Sequence, residues 1–572
     1  MPSPKRPFRH ILLALAGLAL IGGATATSAS KGTVYDNIKT YNKILANVYD
    51  KYVEDVDSED LIFSSIDGMM QALDPHSSFL KASDYEDLML DTQGKYGGIG
   101  ISIDIRDEWL TVVSPIEGTP AFKLGIRAGD RIVKIEGETT KGITTSQAAS
   151  KLRGRKGSTV HITIRRQGEP LPLELDIERD VIELKSVPYA AHVRDGVGYV
   201  RLTRFSEEST NEVHAGIEKV LSEGAESIVF DLRYNHGGLL TQAVAISNQF
   251  LDRGSLIVYT QGRHASDRTE YRATEKPALS KDVPVVVLVN EASASASEIV
   301  AGALQDDGRG VILGELTYGK GLVQTLIPLS PDASLKLTTA KWYTPAGRCI
   351  QKPWKPDEDE ISLADAAADA AGEASDVPVD AAPIGGIQPD VEVEAEPGTR
   401  YAFELVRQNH FFRFAVAYSS DQEVPRDFRA TPDVVDSFRS YLEEQEFDYE
   451  TEAQLQIDRL RELGEQDGYD EATLAAIDAL EARVKVEKQR DFERNLDYVI
   501  FGIEREIQSK VWGIEAAYEV SLRNDKQFDA AVALLKDHDA YLAALEGKEP
   551  VKAVASGKGD MTAIAEGDPG YE

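Results

Sequence analysis

The sequence predicts an α/β multidomain chain: a mostly parallel sheet covered by helices, a β-rich module inserted ahead of it, and helical regions at both ends. Three observations predict this. From Val197 to Gly314 apolar strands alternate with helical stretches, the pattern of βαβ units. Within that run Val283-Pro284-Val285-Val286-Val287-Leu288-Val289 is apolar on both faces, as a strand covered on each side must be. Between Tyr96 and Ile182 the pattern is instead one of short strands and glycine turns, while the flanking regions repeat apolar residues at helical spacing. At 572 residues the chain can hold about three or four domains.

Residues 1–26 have the build of an export signal. Lys5, Arg6 and Arg9 precede the apolar run Ile11 to Ile21, and Ala24-Thr25-Ala26 offers small residues to a signal peptidase. The run is shorter than the ~20 residues of a spanning helix. A cleaved signal is therefore expected, with a retained membrane anchor as the alternative. The mature chain is expected to work outside the cytoplasm, in the periplasm or against the inner membrane. Residues 31–90 form a helical lead-in (Ile38, Tyr41, Ile44, Leu45, Val48, then Leu61, Ile62, Ile66, Met69), broken at Leu73-Asp74-Pro75-His76-Ser77, where Asp74 or Ser77 can cap the next element.

The β-rich module spans 95–182, with strands expected at Ile99–Ile105, Leu110–Val113, Asp130–Ile135, Val160–Arg165 and Leu171–Ile177 and a helix at Ser146–Leu152. Its opening run, Gly97-Gly98-Ile99-Gly100, leads a glycine loop into a strand. Such a loop either turns a hairpin or aims backbone N–H groups at a carboxylate, so that a partner's C-terminus adds as a further strand. The α/β core spans 183–352. Its strands are expected at Val197–Leu202, Ser227–Leu232, Ser255–Tyr259, Val283–Val289 and Val311–Gly314, and its helices at Ser209–Ser222, Leu239–Leu251 and Ala296–Leu304. Residues 353–385 read as an acidic flexible insertion without Lys or Arg after Lys355. A core return segment (386–400), a charge-paired helical domain (401–550) and a disordered tail (551–572) complete the chain.

Charge excludes some functions. Against 62 Lys+Arg stand 96 Asp+Glu, a net charge of -34. Phosphate binding needs cations, so nucleic acid is not expected as a partner, and membrane contact is expected only through a retained N-terminal segment. The single cysteine, Cys349, rules out an intrachain disulfide and a Cys-rich zinc site, and nothing in the sequence calls for a metal or cofactor.

Three short motifs carry chemistry. In Asn290-Glu291-Ala292-Ser293-Ala294-Ser295-Ala296-Ser297-Glu298 a strand turns into a helix. There Ser295 either caps the helix, with Glu298 completing a capping box, or acts as a nucleophile where the helix dipole favours negative charge. In Tyr318-Gly319-Lys320-Gly321-Leu322-Val323-Gln324 a lysine lies between glycines just before an apolar strand. It is either a solvated turn residue or a general base, which would require burial to lower its pKa by several units from about 10.4. Gln324, four residues on, shares a strand face with it and can hold the amine. In Asp231-Leu232-Arg233-Tyr234-Asn235-His236-Gly237-Gly238 the glycines either make a turn or present an N–H to an oxyanion, joined by the N–H of Ala296. His236 keeps a serine–histidine pair open.

Taken together, Leu73-Asp74-Pro75-His76-Ser77, the Gly97-Gly98-Ile99-Gly100 loop, Asp231-Leu232-Arg233, Ser295-Ala296-Ser297-Glu298, Gly319-Lys320-Gly321 and Val323-Gln324 resemble the C-terminal processing peptidases, or tail-specific proteases. The resemblance covers roughly residues 35–352 and resumes at Gly386-Ile387-Gln388-Pro389-Asp390. It implies a PDZ domain that binds the substrate's C-terminus through Gly97, Gly98, Ile99 and Gly100, and a crotonase-like core with a Ser–Lys dyad. Ser295 would be the nucleophile, Lys320 the base and Gln324 its orienter, with Ala296 and Gly237 or Gly238 holding the oxyanion. The competing reading is a scaffold that holds protein tails without cutting. The order of the domains suggests that tail binding regulates the dyad. Subunit number, any homo-oligomer and any activating adaptor protein stay open, as do the roles of the insertion and the helical extension, neither of which is expected to touch the dyad.

Overall fold

A computed structural model describes residues 34–166, 168–330, 333–352, 385–396, 398–547 and 551–552. The export signal, nearly all of the acidic insertion and residues 553–572 lie outside the described residues. The chain divides into two compact units, the smaller holding the residues up to Leu80 together with Leu326–Leu337, the larger the remainder.

In the smaller unit the expected lead-in helices run Val34–Lys51 and Ser58–Gln71, the second capped by Asp57. The break at Pro75 is followed by a strand, Ser78–Lys81, before the next helix, Ala82–Gln93. Asp74 closes the turn itself: Oδ1 accepts the N–H groups of His76 and Ser77, both at 2.8 Å, and Oδ2 accepts the Ser77 hydroxyl.

In the larger unit the inserted module has its five main strands in the order Ile101–Arg106, Trp109–Pro115, Arg131–Ile135, Thr159–Arg165, Leu173–Glu178, every neighbour antiparallel. Alternate residues (Leu110, Val112, Ile132, Val160, Ile162, Ile164) fill its core together with Ala148 and Leu152 of the Thr145–Leu152 helix. That helix carries a capping box between Thr144 and Gln147 and packs beside Ile101–Arg106, an edge strand of the sheet. Lys95–Gly98 pairs antiparallel with Asp180–Glu183 and closes the module at its neck.

The core sheet runs Tyr189–Arg194, Val197–Arg201, Ser227–Asp231, Val285–Val289, Val311–Gly314, Val391–Glu392, Val551–Lys552, parallel except for its first pair. The segment Leu256–Gln261, expected within it, instead forms an antiparallel sheet with Thr269–Arg272 and Ala333–Tyr343, where Tyr259 stacks on Tyr343. One face of the parallel sheet is covered by the helices Ser209–Ser222, Leu240–Ser247 and Ala296–Asp306.

The other face is covered by the C-terminal end of the chain. Leu522, Phe528, Ala531, Val532, Leu534 and Tyr541 pack against Tyr199, Val229, Val286, Leu288, Val311 and Leu313. The helices Lys526–Lys536 and His538–Glu546 are thus part of the peptidase core's own packing. Upstream, 400–512 has a separate aromatic core around Tyr401, Phe411, Phe414, Phe438 and Ile503. It also carries a hairpin of two helices, Glu452–Gln466 and Glu471–Lys488, which buries little beyond Ile457, Gly464 and Ile477.

Candidate active site

The three motifs meet at the carboxyl ends of the parallel strands, where open α/β sheets bind ligands. Val285–Val289 runs into the turn that carries Ser295, and the Ala296–Asp306 helix begins at the next residue. Ser295 has φ +54° and ψ −111°, far from the extended backbone of an ordinary capping serine. A non-glycine residue there stores about 1–3 kcal/mol of strain, which the surroundings must hold in place.

What holds it is Glu298. This fully buried carboxylate accepts the N–H groups of Ser295 (2.7 Å) and Lys320 (3.0 Å) on Oε2, and the Thr317 hydroxyl and the Gly319 N–H, both at 2.6 Å, on Oε1. The backbones of Ser295 and Lys320 therefore both hydrogen-bond to one oxygen atom. Burial raises the carboxyl above the usual range, and the four donors oppose that by favouring the ionised form. The sequence showed Glu298 only as a capping-box partner. The signal that it does more is its company: Ile299, Val300, Ala301, Gly302, Ala303 and Leu304 come directly after it, so this stretch of helix has no solvent face on which to carry a charge.

Glu298→Gln tests that assignment. An amide can accept on one end only, so at least one buried N–H loses its acceptor, at about 1–3 kcal/mol for each such group. The variant is expected to lose about 2–5 kcal/mol in urea denaturation, and an unchanged midpoint and slope would remove the assignment.

Lys320 is half-buried, and its carbonyl accepts the Trp342 indole N–H at 3.1 Å. The neighbouring Gly321 N–H donates to the Gln351 side chain. Gln324 is half-buried on the strand Leu322–Ser330, its amide nitrogen 3.4 Å from Thr338 Oγ1.

The loop after Ser227–Asp231 lies directly against the serine turn. The Asn235 carbonyl accepts the Ala294 N–H (3.0 Å) and the Ser297 hydroxyl (2.8 Å), and Tyr234 N–H donates to Asn290 Oδ1. Gly237 has φ +97°, and a β-carbon there would lie 2.9 Å from both Ala296 N and Ser295 Cβ. Gly238 has φ +147°, and its β-carbon would strike the Phe205 carbonyl at 2.4 Å. Both positions require glycine. The Gly237 N–H is committed to Asn235 Oδ1 at 2.9 Å. The bridge between Gly238 and Phe205 uses the Phe205 and Leu239 N–H groups, not that of Gly238. His236 is exposed on this loop, and among the described residues no hydrogen bond joins it to Ser295.

The start of the same loop is pinned by a buried ionic network. Asp231, fully buried, meets the guanidinium groups of Arg201 (2.6 Å) and Arg233 (2.7 Å) and the Tyr199 hydroxyl (2.6 Å). Burial alone would raise its carboxyl, but the two guanidinium groups outweigh that and hold it well below the usual carboxylate range.

In the inserted module Gly97 and Gly98 lie in the neck strand, and a β-carbon on Gly97 would come 2.1 Å from the Gly154 carbonyl. Ile99 is buried and its carbonyl accepts the Ala121 N–H. Gly100, φ +80°, lies so close to Thr119 that a β-carbon would approach to 2.3 Å. The loop leads straight into the edge strand Ile101–Arg106. Among the described residues no group of three or more His, Cys, Asp or Glu is placed to hold a metal, and no helix is long and apolar enough to cross a membrane.

Comparison with known proteins assigns each part. Residues 196–359 match the model of peptidase family S41, residues 97–177 that of the PDZ domain, and residues 401–535 that of the probable PDZ-protease C-terminal helical domain. The carboxy-terminal-processing protease of Bartonella bacilliformis is 40% identical over 352 residues, covering 60% of this chain and 80% of that protein. The carboxy-terminal processing protease CtpA of Bacillus subtilis is 35% identical over 328 residues (57% and 68%), and the carboxyl-terminal-processing protease of Picosynechococcus is 38% identical over 300 (52% and 72%). With a family S41 core, an inserted PDZ domain and a helical C-terminal region, the chain belongs to the carboxy-terminal processing serine proteases of peptidase family S41.

Proposed function

We propose that this protease is an exported endopeptidase that takes the C-terminus of a protein substrate in its PDZ domain and cleaves a peptide bond with Ser295 and Lys320. Neutral Lys320 Nζ accepts the Ser295 hydroxyl proton as Oγ attacks the carbonyl carbon. The N–H groups of Ala296 and Gly238 take the oxyanion, the Gly237 N–H being engaged by Asn235. The tetrahedral centre collapses, the C–N bond breaks, and Lys320 passes the proton to the leaving amine. The same lysine amine then activates the water that hydrolyses the acyl-enzyme. Gln324 orients Lys320.

The observation that carries this reading is the shared acceptor: Glu298 Oε2 draws the Ser295 and Lys320 backbones to one point, whereas His236 faces solvent. Tail recognition is supported by the edge strand Ile101–Arg106 with its helix alongside and the Gly97–Gly100 loop at its start, the arrangement that receives an added strand. Export rests on the basic and apolar build of residues 1–26.

The test is digestion of an unstructured protein with an apolar C-terminus by wild type and by Ser295→Ala. Wild type is expected to consume it while the variant leaves it intact and still binds its tail. Equal loss of substrate with both would overturn the reading.

A further inference from the structure

The Arg233 guanidinium is gripped from two sides that are far apart in the chain. Its Nε and Nη2 donate to Asp231, at the end of the catalytic sheet's strand, at 2.7 to 3.1 Å. Its Nη1 donates to Asp525 Oδ1 (3.0 Å) and to Gln527 Oε1 (2.9 Å), and its Nη2 to Asp525 Oδ2 (2.6 Å). Asp525 is the cap of the Lys526–Lys536 helix, its Oδ1 accepting the Phe528 N–H. Gln527 is buried and donates to the Val393 carbonyl in the return segment.

Arg233 opens the loop that ends at Gly237–Gly238. Its N–H donates to Asp231 Oδ1 and its carbonyl accepts from Arg201 at 2.5 Å. Further along the same loop, Asn235 and Gly237 touch the serine turn. The C-terminal helix thus supplies one wall of the pocket that fixes where this loop begins.

We propose that Asp525, with Gln527, is a positioning residue for peptide cleavage: acting through Arg233, the C-terminal helix sets the loop that presents Gly238 to the oxyanion. This rests on the assignment of that loop to the oxyanion under the proposed mechanism. An interaction that fixes an oxyanion donor acts in the transition state more than in the bound substrate, so its loss lowers kcat and leaves KM nearly unchanged.

Asp525→Asn separates this role from capping. Asparagine caps a helix about as well as aspartate, so the Phe528 N–H keeps its partner while the charge facing Arg233 is removed. With the full chain and a peptide substrate, kcat is expected to fall about tenfold or more, since displacement of a catalytic group by about 1 Å can cost 10²-fold, with KM within about twofold. Affinity for a peptide boronate that mimics the tetrahedral intermediate should fall in parallel. Lys526→Ala, which removes only the ion pair with Glu396, should leave all three values in place. Ser295→Ala is measured alongside. If that variant is inactive and Asp525→Asn keeps full kcat and boronate affinity, the positioning role is wrong while the serine mechanism stands. If Ser295→Ala still cleaves, the underlying mechanism is wrong. Should Asp525→Asn fold poorly, Asp525→Ser, which keeps a capping oxygen and removes the carboxylate facing Arg233, is the second variant; full kcat and boronate affinity in a folded Asp525→Ser protein would also overturn the proposal.

Discussion

Lys320→Ala is expected to fold like wild type and to lose about 10²–10⁴-fold in kcat/KM on a peptide substrate, the usual worth of a general base. Folding should survive because two main-chain hydrogen bonds that seat this residue remain. Its N–H binds Glu298 and its carbonyl binds the Trp342 indole, and neither needs the side chain. Lys320→Arg should be equally inactive, since a guanidinium does not give up its proton near neutral pH and cannot accept one from a hydroxyl. The sign of the pH dependence comes from the same chemistry. Under the proposed mechanism a protonated Lys320 cannot take the Ser295 proton, so kcat/KM is expected to rise with pH as that amine loses its proton. His236→Ala should stay within about threefold of wild type, less than any general base contributes. Substantial activity in Lys320→Ala together with its loss in His236→Ala would assign the base to the histidine instead.

The candidate dyad was legible because each of its motifs is local: a serine where an apolar strand meets a helix, a lysine between glycines before a strand. Element bounds were also readable where turn residues punctuate them, and the Ser209–Ser222 helix and the Val311–Gly314 strand fall where their apolar patterns end. What could not be read is which distant partner an element chooses. Leu256–Gln261 has the alternation of any half-buried strand, and nothing local tells a parallel neighbour from the antiparallel one it takes in Ala333–Tyr343. Glu298 was hidden because a capping box and a buried clamp share one sequence pattern. The tie between Arg233 and Asp525 spans 292 residues, and a capping aspartate at the head of a helix gives no hint of it. The helical extension was expected not to touch the dyad, and nothing local marks its last two helices as the cover of the sheet's second face.

That last point makes truncation the most damaging change after loss of the dyad. A parallel sheet buries both faces, and here, among the described residues, the helices that cover one face come from beyond Trp512. Ending the chain after Trp512 removes Leu522, Phe528, Val532, Leu534 and Tyr541 and bares the apolar residues beneath them. At about 1.5–3 kcal/mol for each large side chain, those five alone account for about 8–15 kcal/mol, comparable to the whole stability of a typical domain. The shortened chain is expected to be insoluble or to lack a cooperative thermal transition, although the family S41 segment 196–359 is intact within it. The Glu452–Lys488 hairpin provides the contrast. Its ends lie close together, with Lys488 Nζ bonded to the Tyr449 carbonyl, and its helices bury mainly each other. Replacing it with a short linker should leave the core's melting temperature within a few degrees of wild type, because a solvated hairpin contributes little beyond its own contacts. Scanning calorimetry of the two variants decides the matter. A cooperative, wild-type-like transition in the chain ending at Trp512 would mean that the sheet does not depend on its C-terminal cover, and the loss of that transition on removing the hairpin alone would place the dependence in the wrong part of the helical region.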